Sequence, residues 1–233
     1  MKSKNLLGLG IALFCLSACK KDKSAVGPPV EKIDKTEMVL DSTSYVLDGK
    51  LYTEAKYSSG WRVENLQSNA KVDSIINHAY YISGDKDSVM YAKTFTFYDS
   101  GPIINFVFIK KFNKRELING FLHQPNDLKG FYSVGARNYA FDYGRDNTQN
   151  GIAISINNPT FKTYGSDSFG APPTLNADAH KNSKFEIISL KKSKSGIYTL
   201  EAKFNTTLFN DNNESKAITN GYLKINLGLL DDK

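Results

Sequence analysis

The side chains able to do chemistry are few and widely spaced in this 233-residue chain. Serine hydrolysis needs a serine beside a histidine and an acid, commonly on a sharp strand-to-helix turn with glycines two positions either side of the nucleophile. Gly165-Ser166-Asp167-Ser168-Phe169-Gly170 and the stretch Gly130 to Gly135 around Ser133 come near that pattern and miss it. Neither Ser168 nor Ser133 has a glycine two positions before it. No helix is expected after either, so the first reads as a loop and the second as a strand end. His78, His123 and His180 stand far apart, without the H-x-H or H-E-x-x-H spacing that gathers zinc ligands. Cys15 and Cys19 both lie within the first 19 residues, which rules out a disulfide scaffold.

Oxygen donors are better placed. Asp142, Asp146, Asn147 and Asn150 precede Gly151, and calcium takes six to eight oxygens. The spacing departs from D-x-[DN]-x-[DN]-G. A plain turn over Gly144 to Gly151 is therefore preferred, with Ca2+ on Asp142, Asp146 and Asn150 as the alternative. Asn210 to Glu214 invites the same thought more weakly. No other cofactor is expected, because neither a G-x-x-x-x-G-K-[ST] loop nor a dinucleotide fingerprint occurs. A glycan hydrolase would need two facing carboxylates, and Asp142 with Asp146 is the one pair to consider. With no catalytic motif, the chain is read as a non-enzyme. The aromatics are the remaining lead. Tyr57, Trp61, Tyr80, Tyr81 and Tyr143 crowd strands and loops. Ring faces take the C–H surface of flat polar ligands such as sugars, while neighbouring amides bind hydroxyls. Trp61, Tyr57 and Tyr143 are the candidate ligand-binding residues. Core packing is the plainer reading of each.

The elements that must position these residues are strands. Val89 to Phe97, Ile104 to Phe108, Ile152 to Ile156, Tyr198 to Phe204 and Leu223 to Leu227 alternate apolar with small or polar residues. A period of two marks half-buried strands. Weaker strands are expected at Ser44–Leu47, Lys50–Tyr57, Trp61–Glu64, Ala79–Ser83, Gly130–Val134, Asn138–Tyr143 and Lys184–Leu190. Asp48-Gly49 between two such runs signals a type I′ hairpin. Asn113 with Glu116 three positions on and Gly120 beyond predicts one short helix over Lys114 to Asn119. Helices alternating with strands are absent, which argues against a parallel α/β fold. The expectation is all-β: an antiparallel β-sandwich with one short helix, the alternative being a lipocalin-like closed barrel.

Lys2 and Lys4 precede an apolar run from Leu6 to Ala18. As a helix that run spans about 20 Å, short of a ~30 Å hydrocarbon core. It reads as a cleaved signal peptide over residues 1–18. Leu16-Ser17-Ala18-Cys19 resembles the lipobox of bacterial lipoproteins. The resemblance implies cleavage before Cys19, a diacylated thiol and an acylated new amine, so that Cys19 is the lipidation site. Residues 19–35, including KKDKSAVGPPV, lack helical or strand periodicity and read as a flexible tether. Residues 36–233 form a single β-rich domain.

The charged start after Cys19, the DGK hairpin and the ITNGYLKINL stretch (Ile218 to Leu227) resemble cell-envelope lipoproteins of the Bacteroidota. That resemblance implies the outer membrane, on its periplasmic or surface face. Charge argues against nucleic acid as a partner. The whole chain carries +6, but Thr36 to Lys233 has 23 basic against 21 acidic residues. The function expected is a lipid-anchored, non-catalytic binding module for a glycan or small amphiphile. The alternative is a structural or assembly lipoprotein acting through protein contacts. The partners implied are a membrane through the lipid and a glycan or envelope protein.

Overall fold

The computed structural model describes residues 41–55, 57–62, 71–76, 79–83, 88–99, 101–113, 127–143, 150–157, 161–165 and 175–227. All lie in the second of the chain's two compact units, Met38–Lys233. Cys19, the tether, the helix expected over Lys114 to Asn119, His78, His123, Asp146 and Ser166 to Ser168 fall outside the described residues.

The domain is all-β and antiparallel. Its strands are β1 (Ser42–Leu47), β2 (Lys50–Glu54), β3 (Tyr57–Arg62), β4 (Lys71–Ile76), β5 (Ala79–Ser83), β6 (Ser88–Phe97), β7 (Ile103–Asn113), β8 (Gly135–Arg137), β9 (Gly151–Asn157), β10 (Phe161–Lys162), β11 (Lys184–Lys192), β12 (Tyr198–Phe209) and β13 (Ser215–Leu227). Eleven of them form one sheet in the order β2-β1-β13-β12-β10-β9-β7-β6-β3, with β11 on β12 and β8 on β11. β4 and β5 make a separate hairpin. Helix is confined to α1 (Leu128–Phe131) and a 3₁₀ turn at Ala177–His180 among the described residues. Asp127 caps α1 by accepting the Gly130 N–H at 2.5 Å. That cap turns the strand expected over Gly130–Val134 into helix and bend.

The sandwich and the lipocalin-like barrel both need correcting. One hydrogen-bonded sheet replaces the two facing sheets, and its end strands β2 and β3 do not pair with each other. The sheet is an open, curled half-barrel. Curling brings Phe106 of β7 and Phe204 of β12 to a ring-centroid distance of 5.2 Å, although β9 and β10 lie between those strands in the sheet order. Phe204 also stacks on Phe185 of β11 at 6.1 Å. The inner face thus covers itself. Phe95, Phe97, Phe106, Phe108 and Phe185 are essentially inaccessible there, each contributing ~1.5–3 kcal/mol by burial.

Two local devices produce the curl. β13 carries a bulge: Phe204 pairs with Gly221 but Thr206 with Ile218, and Asn220 takes a left-handed φ of +52°. A bulge bends its strand and increases twist. Then β12 forks. Along Tyr198 to Asn205 its edge opposite β13 pairs with β11, and at Phe209 it pairs with β10. The strand switches partners where β10 and β11 diverge.

Candidate functional site

On the outer face of β11, β12 and β13 the bulge leaves a groove of about 440 Å³, within the usual range of small-ligand sites. Alternation sets its walls. Phe185, Phe204 and Gly221 turn inward, so their neighbours Lys184, Glu186, Lys203, Asn205, Asn220 and Tyr222 turn out and line the groove with the Phe204 and Gly221 backbone. Glu186, Lys203 and Tyr222 stand in one cross-strand row. Beneath the groove Gly221 packs close on β12, since an inward Cβ there would meet the Phe204 ring and carbonyl oxygen at 2.6 Å.

The polar groups are unevenly committed. Lys184 Nζ pairs with Glu186 Oε2 at 2.7 Å on the β11 wall. The Lys184 N–H donates to Asn205 Oδ1 at 2.7 Å. Burial pushes the Tyr222 phenol up to about 12, helped by its hydrogen bond to Glu201 and by that carboxylate's charge. Lys203 and Asn220 are exposed, and among the described residues neither side chain has an ion pair or hydrogen bond. The groove can hold a polar ligand by a ring wall, two amides and an ammonium. No Ser, Thr, Cys or His is among the described residues that line it.

Those site residues expected from the sequence that are described lie elsewhere and do not converge on this groove. Tyr57 and Trp61 are on β3 at the sheet's end, paired to Phe97 and Lys93 of β6. Tyr143 is half-buried and packs edge-on to Tyr164 at 5.1 Å. Both pack against a small cluster of Ala92, Val107, Ile109, Ala140 and Ala153. Tyr132 and Tyr139 are core residues. Asp142 is buried in the turn after Tyr139, and Asn150 is exposed ahead of β9. No group of three or more His, Cys, Asp or Glu side chains suited to a metal occurs among the described residues. Asn210 to Glu214 is the β12–β13 turn: Asn210 Oδ1 accepts the N–H groups of Asn212 and Glu214 at 3.0 and 2.8 Å, and its amide donates to Glu214 Oε2 at 2.6 Å. Those oxygens build the turn. Ser133 is held by Arg137 Nη2, which donates to its carbonyl at 2.6 Å and lies 3.2 Å from its hydroxyl.

His180 has a structural place. Its Nε2 donates to the Thr163 carbonyl at 2.6 Å, and Nδ1 lies 3.3 Å from Ser183 Oγ. Burial lowers its pKa below the ordinary 6.5. With Tyr139 at 4.9 Å it fills the fork between β10 and β11. The groove itself went unseen in the sequence. Its signal was Asn220-Gly221, a turn dipeptide inside an alternating strand. Comparison of the chain with family models, with characterised proteins and with solved structures finds no match.

Proposed function

We propose that this chain is a lipid-anchored cell-envelope lipoprotein that binds a glycan without chemistry. The anchor rests on the lipobox resemblance ending at Cys19. The binding role rests on one observation, the outer-face groove that sets the Tyr222 ring beside the Asn205 and Asn220 amides. A ring face takes apolar C–H surface while amides satisfy hydroxyls, the combination sugars need. Titration calorimetry of the detergent-solubilised full chain against polysaccharides and fatty amphiphiles tests it. Saturable heat with a polysaccharide, about tenfold weaker in Tyr222→Ala, is the expected outcome. Heat with amphiphiles alone, or with neither class, overturns the glycan reading.

A second reading, assembly through protein contacts, draws on β2. Among the described residues this strand pairs only with β1, and its Leu51 is 65% exposed. Free strand edges and exposed apolar side chains are features of protein-contact surfaces. Pull-down of an envelope protein that Leu51→Lys abolishes, with no glycan binding, would favour it.

A further inference from the structure

We propose that the groove selects acidic saccharides, with Lys203 holding the ligand's carboxylate or sulfate. This deepens the glycan-binding reading and rests on it. The argument is a count of donors against acceptors. Lys203 brings an ammonium with donors only. The oxygen of Asn205 already accepts from the Lys184 N–H, so its side chain offers a ligand two N–H donors against one remaining acceptor site. Asn220 offers a whole amide. The one carboxylate lining the groove, Glu186, faces Lys184 at 2.7 Å, and Glu201 beyond the rim bonds Tyr222. Both acids near Lys203 thus have other partners, and Lys203 has no ion pair among the described residues.

A neutral hydroxyl would leave that ammonium hydrated as before. An anionic group pairs with it through a charge-assisted hydrogen bond, roughly twice as strong as a neutral one. Geometry agrees. Lys203 and Tyr222 are direct cross-strand partners, so their Cβ atoms stand about 5 Å apart. One sugar ring against Tyr222 can carry its acid group to Lys203. Asn220 reaches the same ligand because the bulge turns it outward with a left-handed backbone.

The test uses the detergent-solubilised full chain and three probes: polygalacturonate, dextran sulfate and neutral dextran. Wild type should bind at least one acidic polymer about tenfold or more tighter than dextran. Lys203→Gln should weaken that binding about tenfold, the usual effect of losing a hydrogen bond to a charged group. Asn220→Gly keeps the left-handed backbone while removing the amide, so it should weaken binding several-fold without unfolding the strand. Lys191→Gln, on the basic stretch at the end of β11, is the charge-matched control and should change nothing. Binding of dextran as tight as that of the acidic polymers, sensitive to Asn220→Gly, overturns the acidic preference and leaves the glycan reading standing. Equal loss in Lys191→Gln and Lys203→Gln overturns it as diffuse polyanion attraction. Absence of heat with all three probes overturns this selectivity, and extending that absence across the wider polysaccharide panel removes the glycan reading with it.

Discussion

At the scale of single residues, two Asx-Gly dipeptides show what local sequence can and cannot settle. Asp48-Gly49 was expected as a type I′ turn. Its φ values of +52° and +76° are those of that turn, and β1 and β2 pair across it from Leu47 and Lys50. Asn220-Gly221 has the same chemistry and also places its first residue at φ +52°. Here it makes a bulge inside β13, because strands on both sides continue past it. Left-handed preference is readable from the pair of residues; turn or bulge depends on neighbours far away in sequence. Gly221 is the stricter position. An added methyl would press on Phe204 at 2.6 Å, against both its ring and its backbone oxygen. The ring is packed on Phe106 and Phe185 and cannot swing away. Gly221→Ala should therefore cost about 1–3 kcal/mol, the usual cost of overpacking, read as a lower urea midpoint. An unchanged midpoint would mean that β13 can shift away from β12, and the bulge would not be the rigid corner described.

At the scale of elements, alternation was readable wherever a strand has one buried face. The patterns at Val89 to Phe97, Ile152 to Ile156 and Lys184 to Leu190 lie within β6, β9 and β11. Ala79–Ser83 is β5 as expected. β13 runs further back, to Ser215, because β12 pairs with it from Phe209 onward and overrides the polar composition of Ser215 to Gly221. The run expected over Lys50–Tyr57 is divided between β2, which ends at Glu54 and pairs with β1, and β3, which begins at Tyr57 and pairs with β6. The fork between β10 and β11 has no sequence signal, because its parts come from four segments. Tyr139 Oη reaches the Asn205 and Lys184 carbonyls at 2.9 and 3.3 Å. His180 bonds Thr163 and stacks by Tyr139, with the Phe209 ring edge-on at 6.2 Å. This plug carries a pH dependence. Burial holds the His180 pKa below 6.5 in the folded state, so between that lower value and 6.5 the unfolded chain binds the extra proton. Stability from this group is full above about pH 6.5 and falls as pH drops through the window. Urea midpoints measured from pH 7.5 to 5 should decline in wild type and flatten over that window in His180→Gln. Parallel declines in the two proteins would remove His180 as the cause.

At the scale of the molecule, the sheet's two end strands are neighbours in the chain. β2 ends at Glu54 and β3 begins at Tyr57, so residues 55 and 56 tie together strands that stand at opposite ends of the sheet order. Glu54 is fully buried at this corner, and a Cβ on Gly101 would sit against its carboxylate and the Tyr52 ring. No helix among the described residues is long and apolar enough to cross a membrane. On the proposed reading, membrane attachment falls to the lipidated Cys19. Two acyl chains suffice for stable anchoring, at ~0.8 kcal/mol per buried CH₂. The domain from Thr36 to Lys233 is nearly neutral, with 23 basic against 21 acidic residues, so electrostatic attraction to anionic lipid would add little to its attachment. Cys19→Ala should move the protein from the membrane pellet to the soluble fraction, or leave it unprocessed and larger on a gel. Its urea midpoint should stay that of wild type, because on the proposed reading Cys19 serves only to carry the lipid. Wild-type migration and fractionation in Cys19→Ala would remove the anchor. Altered fractionation with a lowered midpoint would instead trace the change to misfolding.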